Sequence, residues 1–233
     1  MYSYKQGSCV IKYSLKGEAG VQALFKSILQ ISASAPQVDN IILLNKISTK
    51  NDRLSFLAKD KSNDVLYIIK IFKIWDCCEQ QKKKLISAFS TMNNQEGILL
   101  PLIISISDCF ASFLYPYFRQ GSIYNLIYNL NFEREKFSIF QISEISKKML
   151  KIIQSAHFDN KILMCISLEN ILIDNSRNLV LKTITSSKIR YLISGSDTLE
   201  LEINDALCPP ELLEELPLGP GADFWQLGIL LLA

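Results

Sequence analysis

Gly219-Pro220-Gly221-Ala222-Asp223-Phe224-Trp225-Gln226-Leu227-Gly228 reads as a turn that releases an apolar helix over residues 223–233, because a Gly-Pro-Gly cluster punctuates the chain and an apolar run follows it. Upstream, Cys208-Pro209-Pro210-Glu211 closes a long segment without regular pattern. Before that segment come two short strand candidates, residues 170–173 and 179–182, and before these the clearest helix of the chain. Its Ile142, Ile145, Met149, Ile152, Ile153 and Ala156 recur at helical spacing and form a core-facing stripe. After Gly121, the hydroxyl of Ser122 is placed to cap a helix through Ile123, Leu126 and Ile127.

The N-terminal half has a different texture. Residues 41–46, 54–59 and 66–72 are β-rich runs, separated by polar 49–53 and by the turn-like 60–64. They predict three strands in an antiparallel meander. Residues 77–89 run from polar to apolar and predict a helix with Lys82, Lys83 and Lys84 on its solvated face. Two further strand-like runs cover 99–105 and 111–115. Residues 21–31 fit a short amphipathic helix with Val21, Leu24, Phe25, Ile28 and Leu29 on one face; residues 32–40, with Pro36, read as a linker. Strands first and helices afterwards predict an α+β fold with a β-rich N-terminal lobe and a mainly helical C-terminal lobe. The crevice between such lobes is the default ligand site.

The 233 residues suffice for one large domain or two lobes, and 48% hydrophobic against 21% charged suits a folded chain rather than a disordered one. A net charge of +2 gives no basis for nucleic acid or an anionic membrane as partner. Among Cys9, Cys77, Cys78, Cys109, Cys165 and Cys208 there is no C-x-x-C, and His157, the single histidine, has no ligand type beside it in sequence. That argues against zinc and for reduced, partly buried thiols. Residues 1–16 lack the apolar core of a signal peptide, and the longest apolar runs, 98–106 and 227–233, are too short to span a bilayer. A soluble cytoplasmic protein is the expectation.

Several of these stretches together resemble the eukaryotic-type protein kinase family. Residues 222–228 resemble the D-x-W-S-L-G opening of the central helix of the C-terminal lobe, and Cys208-Pro209-Pro210-Glu211 resembles the A-P-E that ends the activation segment. Leu168-Glu169-Asn170-Ile171-Leu172 resembles the P-E-N-I-L that follows the catalytic base. Ala156-His157 matches the L-H that ends the preceding helix, and Tyr67-Ile68-Ile69-Lys70 resembles the V-A-I-K strand. Order and spacing agree over residues 41–233. The resemblance implies a two-lobed kinase-like fold: an extension over 1–39, an N-terminal lobe and hinge over 40–118, and a helical lobe over 119–233. That last lobe is expected to be incomplete, truncated within its central helix and without the arginine that pairs with the glutamate at the Glu211 position.

The resemblance also assigns the positions that phosphoryl transfer needs, and most are substituted. Catalysis in this family rests on positioning and charge neutralisation. The phosphate loop, where three glycines let backbone N–H groups close over phosphates, corresponds to residues 46–53, with Ser48, Lys50 and Arg53 at the glycine positions. Their side chains would crowd a nucleotide and Asp52 would repel its phosphates, while Lys50 or Arg53 offers a compensating cation. Lys70 stands where the α- and β-phosphates are held; it reads equally as a strand lysine with its amine in solvent. The glutamate that fixes this lysine would fall near Ile86 or Ser87, and Glu79 lies too early. Tyr117 and Leu172 fall in the candidate nucleotide cleft, Leu172 beneath the adenine.

At the base position stands Cys165, in the loop of residues 163–170, and a buried structural thiol is the expected reading. The metal-binding aspartate of D-F-G maps to Thr183, a poor ligand for a hard cation. Asn170 keeps the second metal position, where it reads equally as a hydrogen-bonding loop residue. Met164 replaces the arginine that grips an activation-segment phosphate, so Ser186, Ser187, Ser194, Ser196 and Thr198 lack that receptor. Residues 199–203 alternate strictly, as an edge strand, a docking segment or a half-buried loop strand would. His157, Glu211, Asp223 and Trp225 are implied to be structural. In the family, the aspartate at the Asp223 position holds the catalytic-loop backbone, and Trp225 and Gly228 serve packing.

The joint loss at Ser48, Cys165 and Thr183 implies a pseudokinase: an inactive binding, scaffolding or regulatory module that acts through protein partners. It requires no cofactor; ATP binding stays open, and magnesium is disfavoured. Two alternatives stand beside it. One is an unorthodox active serine/threonine kinase using Lys70, Asn170 and a relocated acid such as Asp174 or Asp159. The other is a non-kinase α+β interaction domain in which the matches are coincidental.

Overall fold

A computed structural model describes residues 28–30, 36–50, 53–74, 78–90, 96–106, 110–133, 137–183 and 205–232. It is α+β, with two sheets and five α-helices among the described residues. Strands β2 (Ile41–Lys50), β3 (Arg53–Asp60) and β4 (Leu66–Lys73) form the expected antiparallel meander. The β3–β4 turn is made locally. Asp60 accepts from the backbone N–H of Ser62 at 2.8 Å, and Asn63 accepts from that of Val65 at 3.0 Å, which are side-chain mimics of a backbone turn.

Beyond β4 lie β7 (Phe110–Pro116) and β6 (Ile103–Ile106), so five antiparallel strands run in the order β6-β7-β4-β3-β2. A short strand, β1 (Ile28–Gln30), pairs with Ile103–Ser105 on the β6 edge. This corrects the helix expected over 21–31: at Ile28–Gln30, pairing with an open sheet edge overrides a weak helical spacing. Residues 21–27 and 31 lie outside the described residues, as do 199–203 and the serines and threonine expected on the activation segment.

The second sheet has the order β5-β9-β8, from β5 (Ile98–Leu99), β9 (Leu179–Lys182) and β8 (Ile171–Ile173), with β5 parallel to β9. The single strand expected over 99–105 is therefore split. Pro101 has no N–H for a ladder, and the chain leaves β5 at Leu99 to re-enter the large sheet at Ile103.

Period-2 alternation sorts the side chains between faces. On one face of the large sheet Phe56, Ala58, Tyr67, Ile69, Ile71, Ile103 and Leu114 form a buried cluster with Ile41. On the other, Phe72, Ile104, Ala111, Phe113 and Tyr115 pack with Leu85 and Phe89 of α1 (Glu79–Ser90). The Phe113 ring sits 5.1 Å from Phe89 and 5.5 Å from Phe72. Lys82 of α1 is half-buried and paired with Glu79 at 2.7 Å, so only Lys83 and Lys84 form the solvated face. Leu172 and Val180 of the small sheet pack against this same cluster.

The opposite face of the small sheet, Ile171, Ile173, Leu179 and Leu181, belongs to a third cluster. It is completed by α2 (Ile123–Glu133), α3 (Ile139–Phe158) and α5 (Gly221–Leu232). Both α2 and α3 start with side-chain caps. The hydroxyl of Ser122 accepts from Asn125 N–H at 3.3 Å, and Ser138 and Gln141 form a reciprocal capping box. In α3 the residues Met149, Ile152, Ile153 and Ala156 are buried, as their spacing requires. Cys165 is buried and Cys208 half-buried, but Cys78 is exposed, contrary to expectation, in the polar approach to α1. Among the described residues no helix is long and apolar enough to cross a membrane.

Candidate functional site

The site is built outward from the first turn of α5. Asp223 is fully buried there, at the helix end where backbone dipoles favour negative charge. Its carboxylate accepts hydrogen bonds from the backbone N–H of Leu163 at 2.9 Å and of Met164 at 2.7 Å, and meets Nε2 of His157 at 2.8 Å. A carboxylate without water needs such a set of partners. One turn later Gln226 accepts from the backbone N–H of Ile166 at 3.1 Å. Met164 takes φ of 49°, the left-handed conformation of a tight bend, at the point where two consecutive N–H groups serve one carboxylate.

The loop of residues 163–170 is also closed on itself. The side-chain amide of Asn170 donates to the carbonyl of Cys165 at 2.9 Å, and its backbone N–H to Ser167 at 3.0 Å. The Asn170 carbonyl accepts from the backbone N–H of Lys182 at 2.8 Å, which ties the end of β9 and the adjacent Thr183 to the same loop. Cys165 and Thr183 are both buried. His157, at the end of α3, also meets the ring of Phe224 edge-on at 5.4 Å.

Trp225, expected to serve packing, is exposed, and so is Gly228. The reason is helical phase: Ala222, Asp223, Gln226, Leu227 and Leu230 take the inward stripe of α5, which turns 225 and 228 outward. Glu211, in α4 (Pro210–Leu213), is half-buried, and its Oε2 is buried without a hydrogen-bond partner among the described residues. Asp174 and Asp159 are engaged locally. The first caps its own turn, accepting from Ser176 and Asn178, and the second lies 3.5 Å from Lys161. Among the described residues no three His, Cys, Asp or Glu side chains are grouped to hold a metal.

Other expected positions lie on the large sheet. Most of the 46–53 stretch is paired strand, Ser48 opposite Ser55 and Lys50 opposite Arg53; Asn51 and Asp52 lie outside the described residues. Lys70 lies in register between Ser55 of β3 and Phe113 of β7, on the inner face with Ile68 and Phe72. It does not reach freely into solvent as a surface strand lysine would: its amine lies 5.2 Å over the ring of Tyr115. Burial first, then the neighbouring charges of Lys182 and Arg53, hold its pKa well below the ordinary lysine value. Among the described residues no carboxylate pairs with Lys70. On α1, Ile86 packs into the core, Ser87 is exposed and Glu79 is paired with Lys82.

Burial pushes the Tyr115 phenol above its usual range, with Arg53 opposing. Leu172 is half-buried against this face, and Tyr117, also half-buried, donates its backbone N–H to the Leu66 carbonyl at 3.3 Å. Lys182 was missed by sequence reasoning, although a signal existed. Leu179 and Leu181 alternate with Val180 and Lys182, which sends Lys182 to the face that Val180 turns toward the large sheet. A separate groove of about 420 Å³, lined by Glu96, Lys148, Lys151, Ser155, Asp174 and Asn178, contains none of the expected nucleotide-cleft residues. No family model matches the sequence, and a search of curated proteins gives no match.

Proposed function

We propose that the chain is a kinase-like two-lobed module that lacks phosphotransfer activity and acts by binding protein partners. On this reading residues 40–118 are the N-terminal lobe and hinge, and 119–233 belong to the helical lobe. The observation that carries it is the loop of residues 163–170, whose backbone is held by Asp223 and Gln226 while its chemical positions are neutral. Phosphoryl transfer of this type uses one carboxylate to orient the acceptor hydroxyl and another to hold magnesium. The thiol of Cys165 and the hydroxyl of Thr183 supply neither at neutral pH. The Asn170 amide is already engaged with the Cys165 carbonyl. A scaffold maintained without its reactive groups supports binding rather than chemistry.

The test is transfer of label from γ-labelled ATP with magnesium, to the chain itself and to generic acceptor proteins. The expected result is no transfer above that of the Lys70→Met variant. Transfer that Lys70→Met abolishes would establish the active-kinase alternative instead.

A further inference from the structure

We propose that the free edge of the large sheet, strand β2, pairs antiparallel with β2 of a second copy of this chain, joining two sheets across a two-fold axis. The inference goes beyond the reading above and does not rest on it, because it uses the sheet edge alone. In the order β1-β6-β7-β4-β3-β2 one edge of the sheet is covered by β1, and β2 stands at the other. It is ten residues long, and among the described residues it is paired with β3 alone. An edge of that length presents a row of outward N–H and C=O groups, which is a template for another strand.

Edges are ordinarily guarded by bulges, charge or brevity. β2 has bulges, but each carries a large aliphatic side chain into solvent. Its register with β3 slips between Leu43 and Asn45 and again between Lys46 and Ser48, which leaves Leu44 and Ile47 unpaired, 43% and 55% exposed. Asn45 and Lys46 between them are exposed as well. Covering two such aliphatic side chains in cross-strand contacts is favourable, whereas a guarded edge would carry polar groups there.

The symmetry of this pattern favours a second copy over a foreign strand. Both bulges and both aliphatic residues are placed evenly about the Asn45–Lys46 peptide bond. An antiparallel pairing centred there sets Leu44 opposite Ile47 of the second copy and Ile47 opposite its Leu44. Each bulge then faces a bulge, so the two bent strands match, as a self-complementary two-fold contact requires. The same register sets Lys46 opposite Asn45 rather than opposite a lysine. Asn45 and Lys46 pair with successive residues of β3, Leu57 and Phe56, and so point to opposite faces. The two Lys46 side chains therefore leave the joined sheet on opposite sides, and Lys46 is the only charge in residues 41–48.

The experiment is sedimentation equilibrium of the full chain from low to high micromolar concentration. One strand pair is a small interface, so the association is expected to be reversible. The expected result is a monomer–dimer equilibrium without larger species, since a two-fold contact closes on itself. Leu44→Lys combined with Ile47→Lys weakens the dimer by at least about tenfold. Leu213→Lys, at an exposed leucine of α4, leaves it unchanged. Register is read separately in a Cys78→Ser background. A chain carrying Asn45→Cys, mixed with one carrying Lys46→Cys, forms a disulfide between the two positions under mild oxidation, and neither chain alone cross-links there.

A chain that stays monomeric, a dimer that the paired lysine substitutions spare or that Leu213→Lys weakens equally, or cross-links between like positions would overturn the pairing. A monomer that binds a synthetic peptide of alternating leucine and glutamate overturns the second copy and gives the edge to a foreign strand. The cross-linking result decides the matter if the double-lysine chain does not fold. Label transfer from ATP bears on the inactive-module reading and leaves this pairing standing.

Discussion

His157 and Asp223, sixty-six residues apart in the chain, meet at 2.8 Å in the interior, where the same carboxylate also receives the backbone N–H groups of Leu163 and Met164. Three remote segments, the end of α3, the 163–170 loop and the start of α5, are thereby fixed by one side chain with no exposed surface.

Removing that carboxylate strands buried donors. Asp223→Ala is expected to cost about 3–5 kcal/mol of unfolding free energy. Asp223→Asn should cost less, because the amide keeps one acceptor but turns donors toward donors. His157→Gln, which retains a donor, should cost about 1 kcal/mol. Urea unfolding of the variants measures all three, and an Asp223→Asn protein as stable as the parent would show that the loop does not depend on this carboxylate.

Gly97 offers a sharper steric test. It sits at φ of 77°, and a Cβ there would clash with Ile152 Cγ1 and come within 2.7 Å of its Cδ1. Its carbonyl accepts from Leu181 N–H at 2.7 Å, which anchors β9 beside β5. Gly97→Ala should therefore destabilise by about 2–3 kcal/mol through backbone strain and overpacking. The loss should persist in part when Gly97→Ala is made in an Ile152→Ala background, since removing Cγ1 and Cδ1 relieves the clash but not the φ.

Ser112 predicts an effect of opposite sign. It is fully buried in β7, and its hydroxyl has no hydrogen-bond partner among the described residues. Ser112→Ala removes an unsatisfied polar atom with little change in volume, so a gain of about 1 kcal/mol is expected in the same unfolding assay. A loss instead would mean that the hydroxyl contributes a bond to the fold.

Lys70 makes stability depend on pH with a definite sign. Its folded-state pKa lies well below the ordinary 10.5. Between the two values the unfolded chain binds more protons than the folded one, so stability rises with pH in that window. Below the folded-state pKa the cost of a charged Lys70 is present in full. Lys70→Met should thus be more stable than the parent at neutral pH and should lose the rise on the alkaline side. Parallel pH–stability curves for the two proteins would refute the burial of this amine.

Much of the fold could be read locally. The β2–β3–β4 meander follows from alternation and from the Asp60 and Asn63 turn, and α3 follows from its stripe and its Ser138–Gln141 box, because these features depend on residues within a few positions of each other. The errors lie where distant segments compete. Ile28–Gln30 became a strand because β6 has an open edge, and residues 99–105 were divided between two sheets because Leu99 found β9 and Ile103 found β7. No local pattern encodes the first choice; for the second, Pro101 marks the break but not the partner that each half finds.

For the candidate site the division is the same. Residue types along the chain by themselves determined that Cys165 and Thr183 are neutral, that Lys70 and Arg53 are basic and that Asp223 opens an apolar helix. Only the tertiary structure decided that the Asp223 carboxylate is fully buried and shared between the 163–170 backbone and His157, that Trp225 faces outward, and that the charges of Lys182 and Arg53 bear on Lys70. The physical reason is that charge and hydropathy are properties of single residues, whereas desolvation and like-charge crowding arise only when strands far apart in sequence are packed face to face.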